Sequence, residues 1–240
     1  PPAFARLLAA TVTTAILVSG AGADESLERR LQTMPSAEIE AHVRLHGDPR
    51  RGALLFYKSA AACSRCHASG SEVTPLGPNL ATIGPDASVQ HIVESLLEPS
   101  RKIRKGFETV SIVTTDGRVL NGLIARQDAV QLVLRDATNL LQEVVVARSD
   151  IDEMRTTDVS MMPQGLIASL RDEREFYDLV RYVRELAVGG AARAAELQPS
   201  AEELVVVDDT LDLDHARILA ALGEKDFKAG RETYLGHCVN

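Results

Sequence analysis

At 240 residues, with 45% apolar and 25% charged side chains, the chain has the composition of an ordinary folded protein of one or two domains. Its formal net charge of −8 argues against a general nucleic-acid binder, which would carry a basic field. It contains no glycine-rich phosphate loop, no HExxH and no GxSxG, so those catalytic patterns are excluded.

Residues Leu7 to Ser19 form a mostly apolar run of 13, preceded by Arg6 and followed by Ala21-Gly22-Ala23. This pattern predicts a secretory signal cut after Ala23, since about 20 apolar residues are needed to span a membrane. Left uncleaved, the same segment would act as an amino-terminal membrane anchor. The chain opens at Pro1-Pro2 without an initiator Met, so more basic leader sequence is expected upstream.

A polar helical lead-in follows over 24–46. Ser36 is positioned to cap a helix carrying Ile39 and Val43, and Gly47 stands where that helix should stop. Asp48-Pro49 restarts the chain as an N-cap with proline at the first helical position. The helix so begun carries Leu54, Leu55 and Phe56. His42 and His46 lie one turn apart, a spacing read as two solvated histidines on a polar face rather than a metal pair.

Next stands Cys63-Ser64-Arg65-Cys66-His67, the attachment pattern of a c-type haem. Two thiols at this spacing can each add to one porphyrin vinyl group, and the following imidazole is then held under the iron as its proximal ligand. A Cys-x-x-Cys pair alone also serves zinc and thioredoxin-like centres. Here no second metal-spaced pair completes a zinc site, and no βαβ pattern precedes the motif. Export suits this reading, because bacteria attach such haems outside the cytoplasm.

Ser88 caps a further helix with Ile92, Val93, Leu96 and Leu97 at core spacing, closed by Pro99. The basic run Arg101-Lys102-Ile103-Arg104-Lys105 reads as a solvated turn first, and as a partner for haem propionates or an acidic protein second. From about 107 to 155 the period changes from helical to alternating. Val110, Ile112 and Thr114 alternate, Asp116-Gly117 marks a hairpin, and Val119–Ile124 continues. Val130, Leu132 and Leu134 alternate again, Asp136–Asn139 make a turn, and Val144–Val146 form a fourth run. The expectation is a small antiparallel sheet or barrel of about four strands inserted into a mainly α protein, an α+β class.

Ser160-Met161-Met162-Pro163-Gln164-Gly165-Leu166 follows as a loop whose proline and glycine fix a turn. A thioether on the open face of the iron closes it and raises the reduction potential. Met34 precedes the haem motif and Met154 lies at the last strand, which leaves the Met161-Met162 pair as the source. A helix over 169–187 comes next, with Ser169 and Asp172 resembling a capping box and Gly189 ending it. Its stripe is Phe176, Leu179, Val180, Val183 and Leu186. Residues 188–222 read as a linker. From 223 the Gly230-Arg231, Tyr234 and Cys238 pattern repeats what precedes Cys63. Cys238 is therefore expected to open a second attachment motif and, in a longer protein, a second haem domain.

The order helix, CxxCH, Gly77-Pro78-Asn79-Leu80, helix, Met162-Pro163-Gln164-Gly165-Leu166 and final helix resembles a class I cytochrome c. The inserted sheet narrows the likeness to the haem-binding domain of the Pirellula/Verrucomicrobium type. Gly47-Asp48-Pro49, Glu98-Pro99-Ser100, Gly106-Phe107-Glu108, Asn121-Gly122-Leu123 and Asp150-Ile151 also match, in order, over residues 47–187. The resemblance implies Met162 as the second axial ligand opposite His67. It also implies the Pro78 carbonyl as acceptor for the other ring nitrogen of His67. Ninety-five positions separate His67 from Met162, and removing the 49 residues of 107–155 leaves 46, a path around one haem.

The function expected is electron transfer with donor and acceptor proteins in the periplasm, as a relay module of a larger multi-haem protein or dehydrogenase. The alternative is a haem peroxidase or gas sensor whose iron keeps an open sixth position.

Overall fold

The structure, a computed structural model, describes residues 26–61, 63–70, 76–135, 142–205 and 221–237, with backbone alone for 233–237. The expected signal at 1–23, the turn at 136–139 and Cys238 lie outside the described residues. Among the described residues no helix is long and apolar enough to cross a membrane.

The chain folds as a helical body with an inserted sheet. Short α1 (Leu27–Thr33) leads into α2 (Ser36–His46). Pro35, not Ser36, takes the cap position of α2, and its carbonyl accepts from Glu38 and Ile39 without help from a side chain. In α3 (Pro49–Lys58) the expected cap holds: the Asp48 carboxylate accepts from the amides of Arg50 and Arg51. Only Ala53 and Phe56 on that helix are fully buried with Gly52, while Leu54 and Leu55 stay half-exposed. Ser88 caps α4 (Val89–Leu97) through the His91 amide, and Ile92, Val93, Leu96 and Leu97 all enter the core.

The last helix, α5 (Glu173–Leu197), is the axis on which the body packs. Every residue of its expected stripe is buried, from Phe176 to Leu186. Its cap is Asp172, whose carboxylate accepts from Glu175 N; the Ser169 hydroxyl closes the preceding 3-10 turn instead. Its first stretch does end at Gly189, as expected. Gly190 adopts φ 62° and ψ −153°, a region open only to glycine, and the helix resumes beyond this kink. Ala194 and Leu197 thereby return to the core, so the first part of the expected linker belongs to the body. Short α6 (Ala201–Leu204) closes with a capping box, and α7 (Glu224–His237) exposes every described side chain.

α3 crosses α5 where Gly52 faces it. A Cβ on Gly52 would stand 2.0 Å from the Asp178 carbonyl oxygen, so only glycine permits the approach. Beside the crossing, the buried Asp178 carboxylate accepts from the Asp48 amide and takes both arms of the Arg51 guanidinium at 2.7 and 2.9 Å. That bidentate pairing satisfies a charge that burial alone would make costly.

The inserted sheet has five strands rather than four and is open rather than closed: β1 (Val110–Thr114), β2 (Val119–Gln127), β3 (Gln131–Arg135), β4 (Glu143–Ala147) and β5 (Ile151–Thr156). All neighbours are antiparallel in the order β4-β3-β2-β1-β5. The missed strand, β5, is polar and exposed and so shows no apolar alternation; its backbone pairing with β1 defines it. Val110, Ile112, Leu132 and Leu134 form a core made wholly of sheet residues, separate from that of the body.

Candidate functional site

The Cys-x-x-Cys-His segment is a single tight turn. Cys63 to Arg65 form a 3-10 turn, and the amides of Cys66 and His67 both donate to the Cys63 carbonyl, at 3.2 and 3.0 Å. Both thiols are free. Burial pushes the Cys63 thiol up to about 11 and raises Cys66 as well, where the Arg65 charge opposes the rise. Thioredoxin-like cysteines are activated the opposite way, by a lowered pKa. Cys63 packs against the body's core, and burial shifts both thiols toward the protonated form.

His67 leaves this turn facing the 77–80 segment. Its Nδ1 lies 3.0 Å from the Pro78 carbonyl oxygen. A carbonyl only accepts, so the proton sits on Nδ1 and the lone pair falls to Nε2. Burial lowers the imidazole's basicity, and the bond to Pro78 works against that shift. Gly77 makes the contact possible: a Cβ there would lie 2.5 Å from His67 Cε1 and 2.6 Å from Nδ1. The two segments are laced further by Leu80 N to the Ala68 carbonyl, 2.8 Å, and Asn79 Nδ2 to the Gly70 carbonyl, 2.6 Å.

Met162 arrives from the other side of the insertion. β5 runs beside β1, and Thr157 N donates to the Thr109 carbonyl at 2.8 Å, so the sheet is entered and left at one neck. Ser160 N then donates to Ser100 Oγ, and Met162 N to Ser160 Oγ, both at 3.1 Å. Gly165, at φ 80°, turns the loop into the next 3-10 segment. Met162 and Cys63 both pack, partly buried, against the core of the body. Of the other methionines, Met161 is half-buried in the same loop, Met34 packs on the core and accepts from the Tyr177 hydroxyl, and Met154 is exposed on β5.

The remaining expectations place as follows. His46 is exposed as expected, and His42, its side chain 37% exposed, also stacks on Tyr177, at 5.2 Å between ring centroids and 10° between planes. In the basic turn Arg101 pairs with Glu94 and Glu98, while Lys102, Arg104 and Lys105 stay exposed. An open groove of about 790 Å³ lies at the start of α3, lined by arginines and Tyr177, and His67 does not line it. Sequence reasoning missed Tyr57, Ser69 and Asn79, whose hydrogen bonds hold the histidine loop. Tyr57 and Ser69 have only nearness to the motif as a sequence signal, while Asn79 stands in the Gly77-Pro78-Asn79-Leu80 match without a role assigned to it.

The donor set suits an iron carried by a porphyrin: two free thiols, an imidazole whose Nε2 holds its lone pair, and a thioether packed on the same core. Zinc asks for four protein ligands. Among the described residues no three His, Cys, Asp or Glu side chains converge to hold a metal ion. Compared with models of known protein families and with curated proteins, the chain gives no match.

Proposed function

We propose that this chain is an exported c-type cytochrome that passes single electrons, with the architecture of a class I cytochrome c interrupted by a sheet. Cys63 and Cys66 would carry the haem through thioether bonds, and His67 and Met162 would hold its iron. The observation that carries this reading is the His67 Nδ1 to Pro78 bond, made possible by Gly77. A surface histidine needs no such cradle, whereas a ligand must have its tautomer and ring plane fixed. Bound haem supplies the one-electron couple. The chain's own task is to orient His67, bring Met162 to the core, exclude water and leave one edge for donor and acceptor proteins.

Residues 1–23 would direct export to the periplasm or, if retained, anchor the chain. The unit would serve as one relay of a larger multi-haem protein or dehydrogenase. Expression in a host competent for haem attachment should give red protein whose mass rises by one haem for the Cys63 motif. Met162→Ala should remove the weak far-red charge-transfer band of a sulfur-ligated ferric haem and admit carbon monoxide or cyanide. Colourless protein of unchanged mass would sink the reading. Rapid ligand uptake by the unaltered protein would instead favour an open, catalytic or gas-sensing iron.

A further inference from the structure

Two successive residues at the end of α3 grip the chain that follows α5. The Tyr57 hydroxyl donates to Gln198 Oε1 at 2.7 Å. That oxygen only accepts, which uses the one phenolic proton, so the contact between Tyr57 and Ser69 Oγ runs from serine to tyrosine. Ser69 is 3% exposed and stands two residues beyond His67. One chain of hydroxyls thus joins α3, the loop bearing the histidine and the end of α5. Lys58 makes a separate grip: its Nζ donates to the carbonyls of Glu203 and Val205, at 2.8 and 3.2 Å, without touching the histidine loop.

We propose that Tyr57 is a positioning residue for His67. Through Ser69 it holds the loop that sets the imidazole against the Pro78 carbonyl. Through Gln198 it makes that setting answer to the segment leading toward α7. The inference rests on the haem reading above. Its physical basis is that the Nδ1–H bond to Pro78 strengthens Nε2 as a donor, and a stronger donor favours the ferric state. Loosening the loop weakens that bond.

The test is redox titration, low-temperature electron paramagnetic resonance and hydrogen exchange on the haem-loaded protein, with folding checked by circular dichroism. Tyr57→Phe removes one oxygen and keeps the ring, so the fold should hold. Its midpoint potential should rise, its low-spin ferric signal broaden, and amides 67–70 exchange faster. Ser69→Ala should shift the potential the same way, and the double variant should move no further than the larger single one. Gln198→Ala gives a smaller shift of the same sign, and serves if Tyr57→Phe folds poorly. Lys58→Ala should leave the potential where it was. A wild-type potential in Tyr57→Phe, or an equal shift in Lys58→Ala, overturns the inference. Colourless wild-type protein would overturn the haem reading beneath it, whereas coloured protein with an unmoved potential overturns this inference alone.

Discussion

The helical body and the inserted sheet solve the same problem in opposite ways. The body brings distant segments into contact through glycines, with Gly52 against Asp178 and Gly77 against His67, so a single added methyl collides with backbone or ring. The open sheet keeps a core from its own strands, and its two ends are tied where Thr157 N donates to the Thr109 carbonyl. The lesson is that an insertion is harmless when its ends are neighbours. β1 and β5 lie side by side, so the chain leaves the body and returns to it at nearly the same point.

The sharpest way to break this contrast is at the helix crossing. Gly52→Ala places a carbon against a backbone oxygen that cannot rotate aside, so α3 must move off α5. The expected loss is above about 3 kcal/mol, the upper range of overpacking costs, measured by urea unfolding. A neutral outcome would show that the two helices are not locked there. A smaller effect is expected in the sheet. Leu132→Ala empties part of a core with four buried members and should cost about 2–3 kcal/mol, because the neighbouring side chains can close in. Amide exchange should quicken in β1–β4 while the spectrum of the bound haem stays unchanged. A changed spectrum would mean the sheet and site are coupled after all.

The smallest effect is a matter of pH in the haem-free chain. The Cys63 thiol, raised by burial from its ordinary 9 to about 11, stays protonated well past neutrality. Alkylation of the folded protein at pH 8 should be slow and should quicken toward pH 11. Because the folded value lies above the unfolded one, this burial stabilises the fold fully below about pH 9, and the contribution is lost as pH rises through about 11. Fast alkylation at pH 8 would place Cys63 at the surface, unlike a residue of the body's core.

Much of the body was legible because its signals are local. Asp48-Pro49 and Ser88 cap their helices with side chains a few residues away, and the stripe from Phe176 to Leu186 needs only helical periodicity. The α5 cap was misplaced by three residues because Ser169, Asp172 and Glu175 repeat every three positions, and only the packed turn before them decides which one caps. β5 left no apolar trace, since an exposed edge strand is defined by its neighbour's backbone.

By itself the sequence determined the chemistry on offer: two thiols and an imidazole at haem-attachment spacing, a methionine in a proline-glycine turn, and helices with readable ends. Such features depend on residue type and on separations of a few positions, which the chain carries wherever it goes. Only the tertiary structure decided which nitrogen of His67 keeps its lone pair, that Gly77 must lack a side chain, and that Tyr57 reaches both Ser69 and Gln198. These contacts span up to 141 positions along the chain, and nothing in local propensity encodes a partner so far away.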